Sequence, residues 1–222
     1  MDSLQIEIFT AKECEAIRHK LEHLEDGQWV DGKQTAGSHA KDIKKNLQLK
    51  PSDPLTESIV AEVHSRLKKQ MAIKSFCLPK KLHHTLISKT TRDGGYGQHV
   101  DNAFMTTGRA DISYTVSLSN EKEYDGGELE ILDTTETNTY KLKEGHVFIY
   151  PSCYLHSVRQ VSAGTRYACV GWIESYMASH EMRMNLFNLE SGARYLLAER
   201  GRSEALDRIF LAHANILRTL GG

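Results

Sequence analysis

The sequence predicts an α+β fold that is mainly β, with a jelly-roll (double-stranded β-helix) core between flanking N-terminal and C-terminal helices. Short β-rich runs separated by glycine or polar turns fill the stretch from Leu82 to Ser175. Apolar residues at helical spacing come before and after that stretch. About seven short strands with turns between them are typical of a sandwich or jelly roll. We therefore expect a helical and loop support region over residues 1–80, the jelly-roll core over 81–175 and a helical cap over 176–222.

The support region begins with a predicted strand and helix. Leu4–Phe9 alternates apolar and polar residues, which is the pattern of a short strand. Thr10, followed three residues later by Glu13, has the capping-box pattern and predicts a helix from Ala11 to about Leu24. A polar, glycine-containing segment comes next, and a loop is expected over residues 32–40.

Helical spacing predicts one more helix in the support region and two at the C-terminus. Apolar residues from Leu55 to Gln70 recur every three or four positions, so a helix is expected there. After Ser175 they recur in two segments that Gly201 and Ser203 separate. The C-terminal helices either pack on the core or serve self-association, and a homo-oligomer formed through them is therefore one expectation.

The core strands are predicted from runs rich in β-branched, aromatic and alternating residues. The expected strands are His84–Ser88, Ala110–Leu118, Glu128–Leu132, Thr137–Lys141, Val147–Tyr150, His156–Val161 and Arg166–Glu174. Ser162–Thr165 has the composition of a turn, so the last two strands are expected to pair as a hairpin. That pairing would place Arg166 roughly opposite the stretch that follows His156.

Composition excludes several classes of partner. The formal net charge is −1 with both signs well mixed, which argues against a nucleic-acid-binding surface. No apolar run approaches the length that crosses a bilayer, so neither a membrane nor a nucleic acid is expected as partner. Cys14, Cys77, Cys153 and Cys169 form no Cys-X-X-Cys pair, and the N-terminus lacks a signal-like segment. A cytoplasmic location is therefore expected.

His99-Val100-Asp101, with His156 farther along, carries the strongest chemical signal. Neutral imidazole and carboxylate together suit Fe(II), and a triad of two histidines and one carboxylate leaves three positions of an octahedral ion open. Residues two apart on a strand point to the same face, so His99 and Asp101 are expected to reach one ion while Val100 packs the other way. The sequence therefore predicts a metal site at these residues.

Two neighbouring features strengthen the metal-site interpretation. The segment Asp93–Gln98 is glycine-rich and allows the backbone to come close to a ligand. Arg166 follows His156 by ten residues at the predicted start of a strand, and its planar guanidinium is suited to holding a carboxylate through two hydrogen bonds. Tyr96, Gln98 and Asn102 flank the ligands and are expected either to contact the site or to satisfy buried backbone groups.

Three segments resemble a known family. Tyr96–Ala103, Tyr124–Leu129 and Tyr150–His156 resemble the first metal segment, the mid-barrel turn and the second metal segment of Fe(II)/2-oxoglutarate dioxygenases of the prolyl 4-hydroxylase type. Among these enzymes, the similarity is to the bacterial PKHD-type hydroxylases. The N-terminal region adds further similar segments: Trp29–Gly32, Thr35–Gly37 and Lys45–Leu49. The resemblance thus covers nearly the whole chain.

The resemblance implies a dioxygenase that hydroxylates an unidentified substrate, with a prolyl or other aliphatic carbon as one candidate, and releases succinate and CO₂. It implies His99, Asp101 and His156 as Fe(II) ligands and Arg166 as the residue that binds the distal carboxylate of 2-oxoglutarate. O₂ is the implied second co-substrate and L-ascorbate the supporting reductant. Thr90 stands where an aromatic residue is expected, some nine positions before the first ligand, which predicts a different lining near the co-substrate.

Two alternatives stay open from the residues alone. A zinc hydrolase also uses histidines and aspartate, but it needs a nearby carboxylate as general base and gives Arg166 no role. A cupin-like protein could bind metal or 2-oxoglutarate for sensing, without turnover. No catalytic residue beyond the metal centre is assigned. The substrate, whether a small molecule, a peptide or a protein, is expected to be selected by residues 31–46, 102–109 and 177–184.

Overall fold

Two antiparallel β-sheets with helices packed around them form the protein, in a computed structural model that describes residues 2–37, 40–133 and 135–222. The α-helices are α1 (Ala11–Glu22), α2 (Pro54–Lys69), α3 (Met71–Cys77), α4 (His180–Arg200) and α5 (Glu204–Leu220). Short 3₁₀ turns occur at Asp26–Gln28, Gly32–Thr35 and Lys41–Ile43. Each helix of the described ranges is too short or too polar to cross a lipid bilayer.

The strands of the described residues are numbered in chain order. They are β1 (Leu4–Glu7), β2 (Trp29–Asp31), β3 (Lys44–Lys45), β4 (Leu47–Leu49), β5 (Pro79–Thr90), β6 (Gly95–His99), β7 (Phe104–Met105), β8 (Gly108–Arg109), β9 (Ile112–Ser117), β10 (Asp125–Gly126), β11 (Leu129–Leu132), β12 (Thr137–Tyr140), β13 (His146–Pro151), β14 (Leu155–Val158), β15 (Val161–Ala163) and β16 (Arg166–Ser175).

The larger sheet has the order β1-β13-β9-β16-β5-β4-β2, and the smaller has the order β12-β11-β14-β6-β3. Two further strand pairs, β7-β8 and β10-β15, stand apart from these sheets. Strands β1, β2, β3 and β4 come from the N-terminal region, so the predicted support region over 1–80 supplies strands to both sheets. The three-part division of the chain stays a prediction.

The apolar core lies on the helix side of the larger sheet. Alternate residues of its central strands, such as Ile87, Val116 and Cys169, are fully buried in one cluster with Leu21 of α1 and Val63 of α2. Burying an aliphatic side chain of this size stabilises a fold by about 1.5–3 kcal/mol. The other face of the same strands is polar and turns towards the smaller sheet, and this leaves room for a cavity between the sheets.

The first helix begins where its predicted capping residue places it, and the second begins at Pro54, one residue before the start that apolar spacing predicts. The backbone N–H of Glu13 donates to the Thr10 hydroxyl at 3.4 Å, and the Glu13 carboxylate accepts from the Thr10 backbone N–H at 2.8 Å, which completes the capping box. The carboxylate of Asp53 accepts from the backbone N–H of Leu55, and Pro54 occupies the first turn of α2. The gap between the C-terminal helices falls at Gly201, as expected.

The predicted hairpin between the last two core strands is wrong. Strand β14 pairs with β11 and β6 in the smaller sheet, whereas β16 pairs with β5 and β9 in the larger sheet. The intervening Val161–Ala163 pairs instead with Asp125–Gly126. The chain therefore crosses between sheets at this point, because each strand finds more backbone partners by joining an existing sheet than by folding back on its neighbour.

Several strands were missed because their sequences are short or rich in polar residues and glycine. The expected loop over residues 32–40 contains the 3₁₀ turn Gly32–Thr35, and its residues 38 and 39 lie outside the described residues. Strand β6 carries two glycines, and a Cβ at Gly97 would lie 2.8 Å from the Cβ of Ile43. Glycine thus serves close packing between β6 and Ile43, where the sequence had suggested close approach of the backbone to a ligand.

Candidate metal centre

A cavity between the two sheets, here called the inner cavity, holds the predicted metal ligands. Its wall on the larger sheet includes Thr90 of β5 and Arg166 of β16, which are directly paired across the two strands. His99 and His156 line the opposite side from the smaller sheet. Side chains from both sheets thus converge on one space.

The structure brings His99, Asp101 and His156 together as one potential metal-binding group. His99 ends β6 and lies directly opposite His156 of β14, while Asp101 follows just after β6 ends. The Oδ1 atom of Asp101 is 4.0 Å from Nε2 of His99 and 3.8 Å from Nε2 of His156. Two atoms that each bind one ion at about 2.1 Å lie at most about 4.2 Å apart, so these separations fit an ion between them.

Both histidines are oriented by the same kind of hydrogen bond, from the ring to the backbone carbonyl two residues earlier. The Nδ1 atom of His99 hydrogen-bonds to the carbonyl of Gly97 at 2.8 Å, and Nδ1 of His156 to the carbonyl of Tyr154 at 3.0 Å. A carbonyl can only accept, so Nδ1 carries the proton of the neutral ring and Nε2 keeps its lone pair. Both Nε2 lone pairs are therefore free to bind a metal. In metal sites, hydrogen bonds of this kind fix the orientation and the tautomer of the histidine ligands.

Asp101 is held by two donors on one of its oxygens. Its Oδ2 atom accepts from the Ser113 hydroxyl at 2.6 Å and from Nε1 of Trp172 at 2.9 Å. The Ser152 hydroxyl hydrogen-bonds with the Ser113 hydroxyl at 2.7 Å and so helps to hold Ser113 in position. With Oδ2 engaged, Oδ1 alone faces the histidines, and the carboxylate is prepared to bind an ion through one oxygen.

Burial keeps His99 in the neutral form that a metal requires. Desolvation, followed by the nearby His156, lowers the pKa of His99 to about 4. The ring of Tyr96 stacks on the His99 imidazole with 3.6 Å between the ring centres. The site therefore presents a desolvated, neutral imidazole at physiological pH, which spares the metal from competing with a proton.

Arg166 is a buried cation on the larger-sheet side of the inner cavity. It is 5% exposed, and burial lowers the pKa of its guanidinium. It hydrogen-bonds to the hydroxyl of Tyr124, while Glu128 acts on it through space and pairs with Lys141 at 3.8 Å. Among the described residues Arg166 forms no ion pair. A buried guanidinium of this kind has donors left for an anionic ligand in the cavity.

The residues expected to flank the ligands fall in three different places. Tyr96 lines the cavity and stacks on His99. Gln98 is exposed on the opposite face of β6, because neighbouring residues of a strand point to opposite faces, so its position gives no contact with the site. Asn102 is exposed near the ligands. Val100, which was expected to pack on the other side from the ligands, is 38% exposed and follows the end of β6 at His99.

A second space, here called the outer cavity, adjoins the inner one and opens towards solvent. Two of the segments expected to select the substrate line it, the first through residues 34–37, Ala40 and Lys44, and the second through Asn102 and residues 104–106. The third expected segment, residues 177–184, contributes no lining to it within the described part of the chain. Phe104 stands at its rim with 75% of its surface exposed.

Ser113, Trp172 and Lys44 are site residues that the sequence reasoning did not identify. A signal for Trp172 exists, because it lies six residues after Arg166 on β16, and residues an even number apart on a strand point to the same face. Ser113 has no such signal, since its contact with Asp101 depends on the pairing of β9 with β16. Lys44 has no such signal either, since the sequence shows it only as one of two adjacent lysines.

Comparison with known proteins identifies relatives along the whole chain. A sequence model described as the 2OG-Fe(II) oxygenase superfamily matches residues 85–174. Over all 222 residues, the chain is 47% identical to a PKHD-type hydroxylase of Synechococcus sp. (strain CC9311), with 100% of both chains covered. It is 46% identical over 221 residues to a PKHD-type hydroxylase of Prochlorococcus marinus (strain MIT 9215), again with full coverage of both.

Solved structures with the same fold share much less sequence. A prolyl-4-hydroxylase of Pseudomonas putida superposes with a TM-score of 0.57 at 16% identity, over 78% of this chain and 92% of that one. A prolyl hydroxylase of Trichoplax adhaerens, solved with a peptide of hypoxia inducible factor, gives a TM-score of 0.59 at 14% identity, over 77% and 82%. At such identities these likenesses show the fold alone.

Proposed function

Because the chain belongs to the PKHD-type hydroxylases of the 2OG-Fe(II) oxygenase superfamily, it is a 2-oxoglutarate-dependent dioxygenase, and we propose that His99, Asp101 and His156 hold its Fe(II). Arg166 then binds the distal carboxylate of 2-oxoglutarate. The observation that carries this assignment is the pair of histidine Nε2 atoms, both freed by Nδ1 hydrogen bonds, facing one free oxygen of Asp101. That donor set matches the facial triad of non-haem iron oxygenases.

The chemistry divides between the bound groups and the protein. When bound, iron and 2-oxoglutarate supply the oxidation that hydroxylates the substrate with release of succinate and CO₂. Arg166 orients the co-substrate through its planar fork, and the hydroxyl of Tyr124 fixes the guanidinium. Ser113 and Trp172 keep Asp101 turned towards the histidines. No general base is assigned.

A zinc hydrolase fits the cavities less well. Such an enzyme needs a carboxylate beyond the metal ligands to activate water. Among the described residues that line the inner and outer cavities, Asp101 is the one carboxylate, and it is already turned towards the histidines. Arg166 would also be left without a ligand. These two observations favour the oxygenase assignment of the site.

The direct test is 2-oxoglutarate turnover by protein loaded anaerobically with Fe(II) and then exposed to O₂. We expect slow formation of succinate and CO₂ even without prime substrate. The His99→Ala variant is expected to lose iron and this turnover together, with its thermal unfolding cooperative. Turnover that persists in His99→Ala would refute the ligand assignment, and absence of any absorption band with 2-oxoglutarate in the anaerobic wild type would refute the proposed site.

The remaining features of the proposal concern partners and location. The prime substrate is a small molecule, peptide or protein with a prolyl or other aliphatic carbon to hydroxylate. O₂ is the second co-substrate, and L-ascorbate is proposed to restore the iron after uncoupled turnover. The two sheets are proposed to be the halves of a double-stranded β-helix. All four cysteines are unpaired, which supports a cytoplasmic location. Neither a nucleic acid nor a membrane is proposed as a partner.

A homo-oligomer through the C-terminal helices belongs to the same proposal. Tyr195 and Leu197 of α4 and Leu211 and Leu220 of α5 are large apolar residues left exposed on the single chain. Burying them against a second copy would remove apolar surface from water. Light scattering after size exclusion is expected to give a multiple of 25.1 kDa, and Leu211→Glu to reduce it. A monomeric wild type would refute this part.

A further inference from the structure

Lys44 is a buried cation where the inner and outer cavities meet. It is 7% exposed and lines both spaces, while the next residue, Lys45, points to the other side of β3 and is exposed. Lysine is rarely buried to this degree unless it is paired. The groups that interact with the charge of Lys44 therefore decide what this residue does.

The hydrogen bonds of Lys44 leave part of its ammonium group unused. Nζ donates to the Thr35 hydroxyl at 3.0 Å and lies 4.9 Å from the centre of the Tyr96 ring. The Thr35 hydroxyl in turn contacts Oε1 of Gln48 at 2.9 Å. One of three ammonium protons is thus engaged by a neutral oxygen. The group is held in place but is not neutralised.

Two carboxylates, those of Asp101 and Asp31, act on the charge of Lys44, and both have other partners. Asp101 has Oδ2 bound by two donors and Oδ1 turned towards the histidines. Asp31 accepts from the backbone N–H of Lys33 at 2.9 Å. Lys44 forms no ion pair with any described residue. Burial lowers its pKa to about 8, although Asp101 and Asp31 act in the opposite direction, so it is still mainly charged at pH 7.

Charge balance points to the outer cavity as the place where a counter-ion is missing. The two charges of Fe(II) and the one of Arg166 balance the two of 2-oxoglutarate and the one of Asp101. Apart from the proposed metal ligands, the other titratable groups that line the outer cavity are neutral, because burial lowers the pKa of His84 and raises the pKa of Tyr96 to about 12. The charges of these four groups therefore cancel, and Lys44, which lies between the two cavities, retains an unmatched positive charge.

We propose that the ammonium group of Lys44 binds a carboxylate of the prime substrate, so that the enzyme acts on carboxylate-bearing compounds. This inference rests on the proposed function, because it takes the inner cavity as the place of 2-oxoglutarate. The two free ammonium protons suit the two oxygens of a carboxylate.

The test uses anaerobic holoenzyme with Fe(II) and 2-oxoglutarate, titrated by calorimetry with pentanoate and with its neutral twin pentanamide. We expect pentanoate to bind the wild type about tenfold or more tightly than pentanamide, as one charge-assisted hydrogen bond implies. Lys44→Met is expected to remove that preference and Lys44→Arg to restore much of it. The matched control Lys45→Met is expected to behave as the wild type.

Each contrary result overturns the proposal. Equal binding of the two probes, no binding of pentanoate below about 50 mM, or an unchanged preference in Lys44→Met would do so. Loss of the 2-oxoglutarate absorption band in Lys44→Met with retained iron would assign Lys44 to the co-substrate instead. Absence of that band in the wild type would refute the proposed function itself, so the two failures are distinguishable.

A second pair of probes identifies where the carboxylate comes from. The capped peptides acetyl-Gly-Asp-Gly-amide and acetyl-Gly-Asn-Gly-amide differ by one charge. Preference for the aspartyl peptide, lost in Lys44→Met, supports an acidic side chain of a peptide or protein as the group that Lys44 binds. Preference confined to pentanoate supports a small carboxylic acid.

Discussion

Arg166 is the residue whose substitution best separates co-substrate binding from metal binding. Its guanidinium is buried, bonded to Tyr124 and without an ion pair in the described structure. Replacing it by methionine keeps much of its volume and removes the charge-assisted hydrogen bonds, each worth about 1.5–3 kcal/mol. We expect Arg166→Met to raise the apparent KM for 2-oxoglutarate by about 10²-fold or more while iron content stays near that of the wild type.

The matched control for this substitution is Arg159→Met. Arg159 carries the same group but is half exposed and pairs with Glu130 at 2.6 Å outside the cavities. An exposed pair of this kind contributes little to stability, and none of its atoms faces the site. An unchanged KM in Arg166→Met, measured by succinate formation, would contradict the assigned role.

Trp172 is expected to control the affinity for the metal without touching it. Trp172→Phe keeps an aromatic ring but removes the N–H that binds Oδ2 of Asp101. Loss of such an outer hydrogen bond typically weakens metal binding by about 10–100-fold. Competition with a chelating dye measures this change. Trp29→Phe is the control, because the indole N–H of Trp29 is buried without a partner among the described residues and its removal is expected to leave metal affinity unchanged.

At the scale of elements, the turn between β10 and β11 supports the co-substrate site. Gly127 has a φ of +67°, and a Cβ there would lie 2.9 Å from Cδ of Arg166 and 3.0 Å from the ring of Tyr124. Lys141 fastens the turn by donating to the carbonyls of Tyr124 and Gly126. The turn therefore fixes the position of Arg166 through close backbone approach, which glycine alone permits at this φ.

Gly127→Ala is expected to impair 2-oxoglutarate binding more than folding. The added methyl group must displace Arg166 or Tyr124, so the KM for 2-oxoglutarate should rise by about tenfold, with stability lower by about 1–2 kcal/mol. Gly192→Ala in α4 is the control, since no atom of the described residues lies within 4 Å of a Cβ placed there, and alanine should stabilise the helix by about 0.5–1 kcal/mol. Thermal unfolding and steady-state kinetics measure the two effects, and an unchanged KM in Gly127→Ala would contradict this account.

At the scale of the whole molecule, buried neutral histidines predict loss of stability in acid. Burial lowers the pKa of His64, His84 and His99, the last to about 4. Below about pH 6.5 the unfolded chain takes up protons that the folded chain refuses, so the free energy of unfolding falls as the pH falls. The loss amounts to about 1.4 kcal/mol per pH unit for His99, and less for the partly exposed His64 and His84.

The melting temperature of metal-free protein should therefore decrease steadily from pH 7 to pH 5. His64→Gln is expected to make the decrease shallower, because it removes one of the protons taken up on unfolding. Bound Fe(II) should steepen it, since iron binds only neutral imidazoles. A melting temperature that is constant across this range would show that these histidines take up protons as readily in the folded protein as in the unfolded chain.

Much of the fold was predictable because it depends on local chemistry. The capping box at Thr10 started α1 where expected, and helical spacing located α2 and the C-terminal pair. The helix α3 and the strands β2, β3, β4 and β6 were missed. Short polar strands carry little apolar periodicity of their own, and they exist because neighbouring strands satisfy their backbone groups.

Residue type and spacing alone indicated the metal triad and Arg166, because few chemistries need two imidazoles, a carboxylate and a guanidinium in that order. The sequence could not supply the orientation of those groups. Asp101 reaches the histidines because Ser113 and Trp172, from two strands paired in the larger sheet, hold its other oxygen. The difference between Lys44 and Lys45 also comes from the fold, which buries Lys44 and leaves Lys45 exposed to solvent. Burial and pairing across strands are properties of the packed chain, so the tertiary structure alone decided them.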